Sequence, residues 1–155
     1  MHQIKILGQK QKDHACELIQ ALPDGQNLIR ILKIGDVRSP AQNSLYWVLV
    51  TQLAGEHGMS KDEVHVDMKK RIIIPIMSRD DPDGFGQMLE AIRNLYRQDK
   101  NAGQFIYDQA VDLISTTRLT VEQFSEVIDD IIKDSFNRGI HLQFKDDLYK
   151  DAMGR

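Results

Sequence analysis

At 155 residues, 41% hydrophobic and 28% charged, the chain can fill one ordinary core and not a second full one. Its net charge of −3 excludes a strongly basic nucleic-acid binder, and a single cysteine, Cys16, excludes an internal disulfide framework. No apolar run reaches membrane-spanning length, and Met1-His2-Gln3-Ile4-Lys5 lacks the basic head and apolar block of a secretory signal, so a cytoplasmic protein with no membrane partner is expected.

The charge is unevenly spread. Residues 30–79 carry eight Lys/Arg against five acids, whereas residues 80–155 carry nine against fifteen. Any phosphate contact is expected from the middle of the chain.

In chain order, Gln3 to Leu7 reads as a short strand, with Ile4 and Ile6 on one face. Gln9 to Leu22 reads as a helix, because Ala15, Leu18, Ile19 and Leu22 recur at the helical period, and Pro23-Asp24-Gly25 ends it. Cys16 on this helix is expected as a small core or boundary residue. Leu28 to Ile34 reads as a buried strand.

The next helix has a clear start. Ser39-Pro40-Ala41-Gln42 offers an N-cap hydroxyl, a proline at the first helical position and a glutamine at the third. Leu45, Val48, Leu49 and Leu53 form its stripe, with Gly55 and Gly58 marking the end. Ser60-Lys61-Asp62-Glu63 repeats the capping box and predicts a shorter helix to about Lys70. Ile72 to Met77 reads as an edge strand, since Pro75 cannot donate to a ladder.

Asp80-Asp81-Pro82-Asp83-Gly84 reads as a loop, Phe85 to Arg97 as a helix, Lys100 to Gln104 as a loop, and Phe105 to Leu119 as one or two strands. Thr120 and Gln123 cap a last long helix whose apolar residues, Val121, Phe124, Val127, Ile128, Ile131, Ile132 and Phe136, cover a broad arc wanting two partners. One of those partners could be another subunit.

The expected fold class is therefore α+β, a mixed small sheet with several helices in one domain over residues 1–155. That domain has a strand-helix-strand start (1–36), a helical and sheet body (37–142) and a short polar tail (143–155).

Catalytic signatures of the common types are missing: no Walker loop, no nucleophile elbow, no paired cysteines, no His-Glu-x-x-His. His57, His65 and Asp67 have a spacing that only weakly suggests a metal. The cluster Asp80, Asp81, Asp83 could hold magnesium for phosphodiester cleavage, although a solvated turn explains it more simply. From Arg79 onward the segment also echoes a calcium loop, but with a cation where the first carboxylate belongs. No cofactor and no metal are expected.

The stretch from Val37 to Trp47 carries the most information. Asn43 and Trp47 share a helical face beside Arg38, a combination that suits bases stacking on the indole while the guanidinium meets phosphate. Residue chemistry alone favours the plainer alternative, in which Gln42 completes the capping box and Trp47 is core.

Arg38-Ser39, Gln42-Asn43 and Trp47 resemble the R-S-x-x-Q-N-x-x-x-W block of the NinB (Orf) family of phage recombination proteins. Thr116-Thr117-Arg118-Leu119, followed by Val121, Phe124, Glu126 and a helix to Arg138-Gly139, resembles a second block of that family. Residues 72–112 do not match, and the tail is shorter than the family's.

The resemblance implies an intertwined homodimer that binds single-stranded DNA and the host single-strand-binding protein. Its role would be to assist a phage or host recombinase without bond chemistry. It also implies that Arg38, Gln42, Trp47 and Arg118 lie at matched positions. Asn43 and the cations Lys69, Lys70 and Arg71 complete the expected nucleic-acid contacts. The alternatives are a magnesium-dependent nuclease using Asp80–Asp83, and a protein-interaction adaptor that needs no DNA.

Overall fold

The computed structural model describes residues 9–23, 25 and 38–154. The chain divides into two units, Met1–Ile34 and Gly35–Arg155. In the first, helix α1 runs Gln9–Gln20 as the 3.6-residue period predicts. None of its residues is buried, and Cys16 is exposed rather than core or boundary. The expected strands at 3–7 and 28–34 lie outside the described residues.

In the second unit, α2 (Pro40–His57) begins as the sequence dictates. The Ser39 hydroxyl accepts from the Gln42 backbone N–H at 3.1 Å, and the Gln42 side chain accepts from the Ser39 N–H at 2.9 Å. Gly58 closes the helix at φ 63°, a left-handed cap that glycine adopts without Cβ strain. Gly55 lies inside the helix and ends nothing. Two neighbouring ridges, Leu45-Leu49-Leu53 and Tyr46-Val50-Ala54, are buried together, so α2 is the central helix of the unit and packs against three others.

One of these is α3 (Lys61–Met68), opened by the Ser60–Glu63 capping box. It continues without a break through a π-helical turn at Lys69–Ile73 into α4 (Ile74–Asp80). The expected edge strand at 72–77 is therefore wrong. Ile72, Ile73, Ile74 and Ile76 are all buried, and a short run buried all round has the same sequence pattern in a strand and in a helix. Pro75 is tolerated because the turn before it is wide. The Ile74 N–H reaches back to the Lys69 carbonyl, where a regular helix would set the proline ring against a carbonyl four residues earlier.

Asp81 then caps a second π-helical turn, Pro82–Gly86, by accepting from the Gly84 and Phe85 N–H groups at 3.0 and 2.9 Å. Helix α5 (Gln87–Gln98) follows, and a single residue, Asp99, separates it from α6 (Lys100–Leu113). The loop expected at 100–104 and the first part of the expected strand region, 105–113, are both helix instead, and no strand follows in 114–119. Asp99 supplies the cap, accepting from Asn101 and Ala102 N–H at 3.0 Å each. Gly103, which resembles a loop signal, is the point of closest approach in this hairpin: a Cβ there would overlap the backbone of Tyr96.

After a short 3₁₀ turn at Thr116–Arg118, the Thr120–Gln123 capping box opens α7 (Val121–Asn137). Phe124, Val127, Ile128 and Ile131 of its broad apolar arc are buried against α2 and the Lys69–Ile73 turn, so both partners of that arc come from this chain. Phe136 at its end stays exposed.

The expected polar tail is instead α8 (Asp146–Met153), which packs on α2. Gln52 clamps the approach to it, exchanging two hydrogen bonds with the Gln143 backbone at 2.6 and 2.7 Å. Tyr149 anchors it, donating to Asp129 at 3.0 Å.

The α+β class is thus overturned: among the described residues there are helices and no strand. No described helix is long and apolar enough to cross a membrane.

Candidate nucleic-acid interface

The two blocks that resemble NinB, some eighty residues apart, meet at one junction. Arg38 precedes α2 and donates to the Thr116 hydroxyl, while its guanidinium lies 5.0 Å from the centroid of the Phe124 ring. Gln42 is fully buried and uses its whole amide. Besides the bond to Ser39, its Nε2 donates to the Val121 carbonyl and to Ser125 Oγ, both at 2.9 Å. These side chains lock the start of α2 onto the start of α7. Gln42 is therefore not displayed to a ligand, because the only way to satisfy a buried amide here is to bind both helices.

One turn further along α2 the surface opens. Trp47 is half-buried, packed edge-on to Tyr46 at 5.5 Å between centroids. Its other neighbour is His65 of α3, at 5.2 Å and a 35° tilt. Tyr46 is sealed inside and its hydroxyl lies 2.6 Å from His65 Nδ1. Burial pushes the Tyr46 hydroxyl above its ordinary pKa, so it keeps its proton and donates it. Burial, and then the charges of Lys69 and Arg38, hold His65 below its ordinary value, so the neutral imidazole accepts at Nδ1 and carries its own hydrogen on Nε2. Asn43 shares the Trp47 face one turn earlier. Its Oδ1 is shielded from solvent and has no hydrogen-bond partner.

The other expected contacts are placed differently. Lys69 is buried, with Nζ donating to the Val111 carbonyl at 3.2 Å. Lys70 pairs with Asp108 at 2.8 Å. Arg71 pairs with Asp134 at 2.7 Å and with Asp67 at 3.1 Å. This run therefore does not present free cations to a phosphate chain. A cleft of about 540 Å³ gathers Lys70, Arg79 and Arg93 beside Tyr107, yet each cation already meets a carboxylate. Arg118 is exposed and lines a separate groove.

The acidic loop is also committed internally. Asp80 accepts from Arg79 at 2.7 Å and from Gln123 at 2.9 Å, bonds that hold its carboxyl below the usual range, with the Arg79 bond the larger cause. Arg79 additionally forks onto Glu126. Asp81 is a cap. Among the described residues no three His, Cys, Asp or Glu side chains gather as metal ligands, and His65 is bonded to Tyr46 rather than aimed at His57.

His65 is the site residue that sequence reasoning misplaced. Its position one helix away from Trp47 depends on how α2 and α3 pack. Only the two capping boxes hinted at it, by fixing where both helices start.

The fold and site together define a helical unit with an aromatic edge on α2 and α3, beside Arg38. No family model matches the chain, and no curated protein and no solved structure is significantly similar to it.

Proposed function

We propose that the chain is a phage recombination module that binds single-stranded DNA along the α2–α3 edge, acts as a homodimer, and assists a recombinase together with the host single-strand-binding protein. The observation that carries this reading is the Trp47–His65 ring pair, half-open and flanked by Arg38 and by the unpartnered Asn43 carbonyl.

Unstacked bases gain about 1–3 kcal/mol each on such rings. A single strand offers those faces, whereas a duplex keeps them closed. The net charge of −3 fits a binder that relies on stacking more than on counterion release. The likeness of two blocks to NinB supports the recombination context and the homodimer.

Trp47 is the only tryptophan, so intrinsic fluorescence reports on this site alone. Titration with an unlabelled oligothymidine should quench it, with a smaller response to duplex of equal length. Affinity should fall between 50 and 200 mM salt. Trp47→Leu should weaken anisotropy-monitored binding about tenfold, the loss of roughly one stacked base, with an unchanged far-UV circular dichroism spectrum. Absence of quenching together with unchanged binding by Trp47→Leu would place any DNA contact elsewhere.

A further inference from the structure

The α5–α6 hairpin and α4 enclose a groove of about 650 Å³. Met77, Met88, Leu95, Ile106 and Leu113 line it, and apart from Gln109 and Arg118 every lining residue is apolar. Leu113 is 81% exposed, and Met88 and Ile106 are also open to solvent. Soluble chains rarely leave a contiguous apolar surface of this kind without a partner. Arg118 is the only charged residue of the lining, and its guanidinium meets no carboxylate among the described residues. The Arg93, Arg79 and Lys70 cations lie in the neighbouring cleft and are already paired.

We infer that this groove docks a short segment of a partner protein, two or three apolar side chains ending in one carboxylate that pairs with Arg118. Charge complementarity selects that occupant. A nucleic-acid strand or an anionic membrane presents many negative charges, and one cation in the acidic half of the chain cannot answer them. A purely apolar segment would leave the guanidinium beside buried surface without a partner. A single carboxylate matches it by a charge-assisted hydrogen bond, and the apolar side chains fill the walls. Its wall on α5 runs from Met88 to Leu95, about 10 Å of helix, room for about three residues of extended chain. This surface is separate from the Trp47 edge and does not depend on DNA binding there.

The test uses the full chain and fluorescein-labelled hexapeptides bearing Leu, Ile and Phe. One has a free C-terminal carboxylate and one the same sequence as an amide, and binding is read by anisotropy. The acid should bind about tenfold tighter than the amide. Arg118→Ala should erase that difference. Leu113→Asp should weaken both peptides at least tenfold, by placing a carboxylate at the apolar wall.

Equal affinity for acid and amide, or peptide binding indifferent to Leu113→Asp, would overturn the proposal. So would sedimentation showing a dimer that Leu113→Asp separates into monomers, which would give the groove to a second copy. Saturable myristate binding with no peptide binding would give it to a lipid. Trp47 quenching by oligothymidine, followed on the same Leu113→Asp protein, keeps the two proposals apart. Peptide lost with quenching retained upholds both as separate surfaces; peptide lost with no quenching in wild type or variant upholds the groove alone, and quenching with peptide binding untouched by Leu113→Asp upholds only the nucleic-acid edge.

Discussion

The α2–α7 junction and the α5–α6 hairpin invert the usual signs of function. At the junction, Arg38 and Gln42 are polar and look like ligand contacts, yet every atom of the Gln42 amide is bonded inside the chain. On the hairpin, Leu113, Ile106 and Met88 are apolar and look like core, yet they face solvent. Buried amides bind helices together because nothing else can satisfy them. Exposed leucines without a cover mark a surface whose partner is not part of this unit.

The largest test of that contrast removes one side chain from each region. Gln42→Ala deletes three hydrogen bonds and opens a cavity between α2 and α7, and should cost about 3 kcal/mol in urea unfolding. Leu113→Ala removes an exposed side chain and should stay within about 0.5 kcal/mol of wild type. Similar losses in both would mean that the hairpin is as firmly embedded as the junction.

What the sequence made legible follows from which signals are local. Capping boxes at Ser39, Ser60 and Thr120 act within four residues, and all three helices start where those residues place them. The run from Ile72 to Met77 misled because strand and fully buried helix share its pattern, and only tertiary packing, in part on α7, decides between them. Gly103 misled because glycine serves turns and close helix contacts alike. At the site, Arg38 and Trp47 were legible as residues, while their roles were not. Thr116 and Phe124 meet Arg38 across about half the length of the chain, and His65 meets Trp47 across a helix pair.

Next in size is Gly103→Ala. The added methyl overlaps Tyr96 backbone, which cannot rotate away as a side chain could, so the hairpin must spread. A cost of about 2 kcal/mol is expected, with hydrogen exchange accelerated in α5 and α6 and little changed in α2. Faster exchange throughout the second unit would show one cooperative body and weaken the distinction between the two regions.

Asp81→Ala sharpens the comparison at the root of the hairpin, where the carboxylate caps the Pro82–Gly86 turn. Loss of that cap should cost about 1 kcal/mol. If the aspartate serves only as a cap, the variant leaves DNA intact in magnesium just as wild type does. Cleavage by wild type that vanished in Asp81→Ala would restore the carboxylate loop to a chemical role.

The smallest expected effect is the most specific. His65 is held below its ordinary pKa of 6.5 by burial first and then by Lys69 and Arg38, with Asp62 pulling weakly the other way. The unfolded chain therefore takes up this proton before the folded one does. Its contribution to stability is complete above about pH 6.5 and declines as the pH falls below that value. Glu63, Asp80, Asp108 and Glu126 are held below the usual carboxylate range by hydrogen bonds, so their loss arrives at lower pH. Asp130, raised by burial first and then by Glu126, works in the opposite sense, since its folded form gains the proton more readily.

Between pH 7.5 and 5.5 the melting temperature should drop for wild type and drop less for His65→Asn, which retains an acceptor for the Tyr46 hydroxyl. A phosphate chain lying across the Trp47–His65 edge would favour the protonated ring and offset Arg38. Saturating oligothymidine should therefore flatten the wild-type pH slope and leave that of His65→Asn unchanged. An oligonucleotide that raises the melting temperature equally at both pH values in both proteins would bind somewhere other than this edge.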